Sequence, residues 1–215
     1  MDGKEEPSVR RFNKWAGSYD TGILSVFFRM CNGKICQLVE PRDGIKLLDV
    51  GCGTGSLLES LFRSGRQVNL CGINVSPEMI RVARKKLNGK ERVELHEGSA
   101  TNSPFESDSF DYVVCANSLH HHPDPGQSLA EMTRVLKPGG VVIVMDAFID
   151  SRVRKIFFRI VNVFRGEGKV QHFRRQELQR ILHNLGHESV TQRTYLLFLL
   201  ITCGTKSKTT RNPSA

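Results

Sequence analysis

Apolar positions fall in short blocks separated by amphipathic stretches, and the two kinds of stretch alternate along most of the chain. Residues 46–50 are largely apolar. They run into a turn with glycine at Gly51, Gly53 and Gly55, and SLLESLF then follows from Ser56 with helical spacing. Residues 67–73 (QVNLCGI), 93–96 and 110–116 (FDYVVCA) read as further strands, the last apolar on both faces as a central parallel strand should be. A helix is predicted over 79–87, with Ser76 as N-cap and Pro77 at its first position, and another over 128–136. KPGG at 137–140 reads as a turn into a fifth strand at 141–145. Strands alternating with helices predict an α/β fold, a Rossmann-like three-layer sandwich with a mostly parallel sheet.

The flanks depart from this alternation. In VRRFNKWAGSYD, residues 9–20, Phe12, Trp15 and Tyr19 recur at helical spacing, which suits either a helix packed on the core or an aromatic lid. Residues 23–39 continue as an amphipathic helix ending before Pro41. Residues 150–164 (DSRVRKIFFRIVNVF) form a basic amphipathic stretch, either a solvated outer helix or one covering a substrate or touching a membrane surface. A helix over 174–185 and two strands over 188–193 and 195–203 complete the pattern, the strands as an antiparallel C-terminal pair. The expected organisation is a disordered N-terminus at 1–8, one domain at 9–205 and a disordered tail at 206–215. Within the domain, the lid spans about 9–40 and an inserted cap helix about 150–172.

Composition narrows the class. A chain of 215 residues suits one domain. The net charge of +9 admits nucleic acid, anionic lipid or an acidic ligand, but part of the excess sits at the termini and on two candidate helices, which suits a generic basic surface. Six cysteines without a CxxC pair suggest reduced structural thiols and a cytoplasmic protein. The start, MDGKEEPSVRR, has no apolar core, so no signal peptide is expected. The most apolar run, residues 195–203, is far short of the roughly 20 residues of a spanning helix. No transmembrane segment is expected, and peripheral membrane contact stays open.

A strand, a bare turn and a helix start form a nucleotide site, because the ligand can approach the backbone and the helix presents free N–H groups. Ser56 occupies the position that would complete GxGxxG, so a dinucleotide fits poorly. LLDVGCGTG, GINVSPEMI, FDYVVCANSLHH and EMTRVLKPGGVVIV follow in an order and spacing that resemble the class I S-adenosylmethionine-dependent methyltransferases. The chain is most similar to their small-molecule branch, related to ubiquinone and menaquinone biosynthesis, from about Phe12 to Cys203.

The resemblance implies S-adenosylmethionine as cofactor, S-adenosylhomocysteine as product, and cofactor contacts from Asp49, Gly51, Cys52, Gly53, Asn74, Val75, Ser99, Ala100, Asn117 and Leu119. Asp49 is placed to hold the methionine ammonium. The positions that in the family hold ribose and adenine, usually acids, are Asn74 and Ser99 here. Three readings follow. The first is an enzyme with a looser cofactor site, compensated by Leu119 or the aromatic lid; the others are a site altered toward a modified cofactor and a degenerate member that binds without catalysis.

The run His120, His121, His122 follows the fourth strand. Adjacent residues do not readily converge on one ion, so no metal is expected. His121 is the candidate base, the alternative being that the run lines the loop and caps the next helix, and Tyr19 is a candidate for positioning the acceptor. The predicted function is methyl transfer to a small molecule by in-line displacement, from a monomer or homodimer. A nucleic-acid methyltransferase is disfavoured, because ANSL stands where an NPPY-like tetrapeptide would be expected. A non-catalytic scaffold is the other alternative.

Overall fold

The computed structural model describes residues 7–208, apart from 18, 22, 41–43, 66 and 151–170. The strands β1 (Lys46–Val50), β2 (Asn69–Asn74), β3 (Val93–Glu97), β4 (Phe110–Ala116), β5 (Leu136–Ala147), β6 (His187–Tyr195) and β7 (Leu199–Lys206) form one sheet. Its order is β3-β2-β1-β4-β5-β7-β6, parallel through β5, with β7 antiparallel to β5 and to β6. Because β1 neighbours both β2 and β4, the strand order reverses there, and a crevice opens at the carboxyl ends of these strands.

Alternate residues of the strands serve two cores. Leu47, Leu70, Tyr112, Val114 and Ile143 pack with Ile35 of α2 (Ile23–Leu38) and with Leu58 and Leu61 of α3 (Ser56–Arg63). Leu48, Val50, Val113, Val142 and Val144 pack with Leu129 and Met132 of α5 (Pro125–Val135) and with Leu178 and Leu182 of α6 (Arg175–Asn184). With α1 (Pro7–Trp15) and α4 (Pro77–Lys86), these are the helices among the described residues that frame the sheet.

Helix starts follow local chemistry. The Ser76 hydroxyl accepts the Met79 N–H at 3.2 Å and Pro77 opens α4. The Asp124 carboxylate accepts the Gln127 N–H at 2.9 Å, so α5 begins at Pro125, three residues before the predicted start. The histidine run does not cap that helix; Asp124 does.

Two strand boundaries also differ from expectation. β5 already begins at Leu136, because Phe110 pairs with Leu136 across a register shift and draws KPGG into the strand. The apolar run 195–203 is not one strand: Tyr195 ends β6, Leu196 and Leu197 turn at φ 48° and 62°, and β7 runs from Leu199. β7 extends to Lys206, whose Nζ donates to the Thr133 and Leu136 carbonyls and pairs with Asp108. The predicted helix over 150–164 lies, from residue 151 on, outside the described residues, as do residues 1–6 and 209–215. No helix of the described residues is long and apolar enough to cross a membrane.

Candidate functional site

A cavity of about 490 Å³ opens where β1, β2 and β4 end. At its floor the backbone turns sharply after β1: the N–H groups of Gly51 and Cys52 both donate to the Ile73 carbonyl, at 2.9 and 3.1 Å. Gly51 has φ 76°, and a Cβ on it would run into the Ser118 hydroxyl. Gly53 has φ 53°, and a Cβ there would meet only open space, so its bare backbone faces room for a ligand. Cys52 and Gly53 both line the cavity.

Asp49 lies at the end of β1 and also faces the cavity, only 3% exposed. Burial pushes its carboxyl up to about 7, and no hydrogen bond or cation from the described residues offsets that shift. A buried carboxyl of this kind is completed by a ligand that brings its own positive charge.

The N-terminal segment is tied to this floor. The Asp20 carboxylate accepts from the Thr54 hydroxyl at 2.8 Å and from Lys86 Nζ at 2.5 Å, joining the segment after α1 to the glycine turn and to α4. A second tie runs from the Ser76 hydroxyl to the Asn13 side-chain oxygen at 2.6 Å.

At the next position along the crevice, Asn74 and Val75 line the cavity beyond β2. The Asn74 side-chain oxygen accepts the Ser76 N–H at 2.9 Å, which uses one of its two lone pairs and leaves its amide hydrogens as the uncommitted donors for a ligand. Ser99 and Ala100 line the cavity beyond β3. The Ser99 hydroxyl is engaged by its own loop, with Thr101 Oγ1 at 2.8 Å and the Thr101 N–H at 3.2 Å. Where acids would present charged acceptors, this chain presents an amide donor and an occupied hydroxyl.

The remaining wall comes from the segment after β4 and from the N-terminal segment. Asn117, at φ 52°, lines the cavity, and its N–H donates to the Met145 carbonyl at 2.7 Å. Leu119 does not reach the cavity. It is fully buried in the core with Leu129 and Phe148, because a single 3₁₀ turn (Leu119–His121) rotates it inward. Its side chain therefore belongs to the core, apart from the other residues expected to contact the cofactor.

His121 does reach the cavity, edge-on to Phe12 at 5.1 Å. Burial, then the charges of His120 and Arg11, push its pKa down to about 2. An imidazole held neutral in this way hydrogen-bonds as a wall of the cavity, and His121 stands where a base toward the acceptor was expected. His122 is pushed down to about 4, mainly by burial, and lies 3.2 Å from the Ser118 hydroxyl. His120 is the histidine held by a carboxylate, with Nδ1 2.6 Å from Asp146 Oδ1. Burial alone would raise Asp146, but the His120 charge and the hydrogen bonds from His120 and the Ala147 N–H hold it below the ordinary carboxylate range.

The predicted aromatic row divides. Phe12 and Tyr19 line the cavity, and Tyr19 stacks on Phe28 at 5.1 Å; Trp15 instead lies under the Arg11 guanidinium. Asn32, Thr54, Ser118 and Gln127 also line the cavity and escaped the sequence reading. Thr54 alone had a local signal, its place within the glycine turn. Among the described residues, the group with metal-ligand atoms within 4.8 Å of one another is Cys71, Glu94 and His96 on the β2–β3 edge, not the histidine run.

A family model described as a methyltransferase domain matches residues 48–144, which span the glycine turn, β2, β3, β4 and most of β5. Demethylmenaquinone methyltransferase from Desulfitobacterium hafniense (strain Y51) is 35% identical over 142 residues, covering 63% of this chain and 56% of that enzyme. The same-named enzyme of Staphylococcus saprophyticus is 31% identical over 167 residues, covering 74% of this chain and 72% of that one. The chain thus spans little more than half of the first relative's length. Among solved structures, a methyltransferase in complex with the Haloferax volcanii Trm112 activator superposes with TM-score 0.78 at 20% identity, covering 91% of this chain and 97% of that one. At that identity the superposition shows the fold alone.

Proposed function

The chain belongs to the class I S-adenosylmethionine-dependent methyltransferases, and on that premise we propose that it methylates a small-molecule acceptor in the cavity at the β1–β4 switch point. The observation that carries this reading is Asp49: a buried carboxyl at the strand end, beside bare backbone at Gly53, suited to a ligand ammonium. The residues present fit the cofactor at its methionine end. At the adenosine end they fit it more loosely, with Asn74 donating to a ribose hydroxyl, Val75 offering an apolar face, and Ser99 contributing backbone more than hydroxyl. Gly51, Cys52, Ala100 and Asn117 are assigned to the remaining cofactor contacts, and Tyr19 to acceptor positioning.

Bound there, S-adenosylmethionine supplies a sulfonium methyl group, transferred in line to an acceptor lone pair to leave S-adenosylhomocysteine. The protein's own part is alignment and exclusion of water. Phe12 and Tyr19 wall the acceptor space, and the Asp20 ties to Thr54 and Lys86 fix the lid over the glycine turn. His121, neutral in the unliganded chain, faces the acceptor space and orients the acceptor by hydrogen bonding. The six free cysteines, four of them buried, support action in a reducing compartment, the cytoplasm; the assembly proposed is a monomer or homodimer. The domain reading is one methyltransferase unit with an N-terminal lid.

The test is methyl-labelled S-adenosylmethionine incubated with the protein and a cell extract, followed by fractionation. Label in the low-molecular-weight fraction supports the proposal. Label in RNA or DNA supports the nucleic-acid alternative, and no transfer despite cofactor binding supports the non-catalytic one.

A further inference from the structure

We propose that the acceptor binds as an anion, a flat apolar body bearing a carboxylate- or phosphate-type group that is held by His121 of the cavity wall and by its neighbour Arg11 of α1. The proposal rests on the methyl-transfer reading and names the acceptor's chemistry.

Arg11 is partly buried on α1. Its guanidinium stands 5.5 Å from the Phe12 ring centre and 5.3 Å from that of Trp15, which fixes its plane. One nitrogen, Nη2, donates to His121 Nδ1 at a long 3.4 Å, and Nε is buried with no acceptor. Among the described residues no carboxylate pairs with Arg11. A guanidinium with one nitrogen buried and unmatched, and its other donors only partly withdrawn from water, is well suited to a carboxylate or a ligand anion, because donors left unmet are costly. Two of its neighbours, Phe12 and His121, are themselves walls of the cavity.

Among the described residues, the surroundings are short of negative charge. His120, His122 and His172 cluster with His121, and His120 stacks against both His121 and His172. The carboxylate in this group is Asp146, already bonded to the His120 ring and to the N–H groups of His120 and Ala147. The other cavity carboxyls are placed elsewhere: Asp49 at the glycine turn and Asp124 as the α5 cap. After burial, neighbouring positive groups are what depress His121, His122 and His172.

The donors are of the right kind. Because His121 Nδ1 accepts from Arg11, the neutral ring keeps its proton on Nε2 and remains a donor. Guanidinium and imidazole N–H groups together suit an oxyanion with two acceptor oxygens. Phe12, Tyr19 and Phe28 supply aromatic walls, which suit a planar apolar body.

The experiment is calorimetry on the full chain saturated with S-adenosylhomocysteine, using 4-hydroxybenzoate, phenyl phosphate and the uncharged methyl 4-hydroxybenzoate as probes. The expected result is that at least one acid binds about tenfold or more tightly than the ester. Which acid binds better separates a carboxylate from a phosphate source. Arg11→Gln should abolish the preference and Arg11→Lys should keep part of it, each variant's S-adenosylhomocysteine titration reporting an intact fold. An ester bound as well as the acids, or the binding of neither, overturns the proposal, as does a preference that persists in Arg11→Gln. Failure of S-adenosylhomocysteine to bind strikes the methyl-transfer reading instead, and the same acid–ester comparison on the unliganded protein still decides the charge preference.

Discussion

The side-chain oxygen of Asn74 accepts the backbone N–H of Ser76 at 2.9 Å, which closes a local turn at the start of α4 and leaves the Asn74 amide as a donor toward the cavity. A carboxylate at the same place would close the same turn with one oxygen and keep a second, charged oxygen for a ribose hydroxyl. Asn74→Asp should therefore strengthen S-adenosylmethionine binding by about tenfold, the worth of one charge-assisted hydrogen bond. Calorimetry decides it, and an unchanged or weaker dissociation constant would show that the ribose does not sit at this residue.

Gly51 and Gly53 should respond differently to alanine. At Gly51 the new Cβ collides with the Ser118 side chain and φ is 76°, so the fold should lose about 2 to 3 kcal/mol, measured by urea denaturation. Adding Ser118→Gly should recover part of that loss. At Gly53 no atom lies within 4 Å of the new Cβ, so only the strain of φ 53° remains, about 1 kcal/mol, while ligand affinity falls because the bare surface is covered.

The Asp20 ties link the N-terminal segment to the glycine turn and α4 across long sequence separations, 34 residues to Thr54 and 66 to Lys86. Asp20→Ala should raise the rate of limited proteolysis within the N-terminal segment and weaken cofactor binding together. Faster proteolysis with unchanged affinity would separate the lid from the cofactor site.

Asp49 should cost the unliganded protein stability. Its folded pKa is raised from 3.8 to about 7, so the folded state holds a proton that the unfolded chain releases, and stability falls as pH rises from about 4 to about 7. Asp49→Asn removes that loss. Thermal or chemical denaturation at pH 8 should find the unliganded variant more stable by about 2 to 4 kcal/mol, with the difference vanishing toward pH 4.

What the sequence made legible was what is encoded locally. The strand, glycine turn and helix over residues 46–63 followed from periodicity and glycine placement, and the Ser76 cap from its own tetrapeptide. The start of β5 did not, because the pairing of Leu136 with Phe110 overrides the turn signal of KPGG. The β6–β7 turn was hidden because Leu196 and Leu197, apolar residues without a glycine between them, adopt positive φ. Leu119 and His121 are two residues apart in one 3₁₀ turn, yet one enters the core and the other the cavity; spacing alone does not resolve that rotation. The Asp20 and Arg11 contacts join distant segments, so no local pattern announced them.

The central claim is that Asp49, ionised, receives the ammonium of the cofactor. Its most direct test is the pH dependence of S-adenosylhomocysteine affinity in the native protein and in Asp49→Asn. The native affinity should fall about tenfold per pH unit below about pH 7, as the carboxyl takes up its proton, and fall again above about pH 8 as the ligand amine loses one. Asp49→Asn should bind about a hundredfold more weakly at pH 7.5 and lose the acid limb while keeping the alkaline one. An acid limb unchanged in Asp49→Asn, or equal affinity of the two proteins at pH 7.5, would contradict the account.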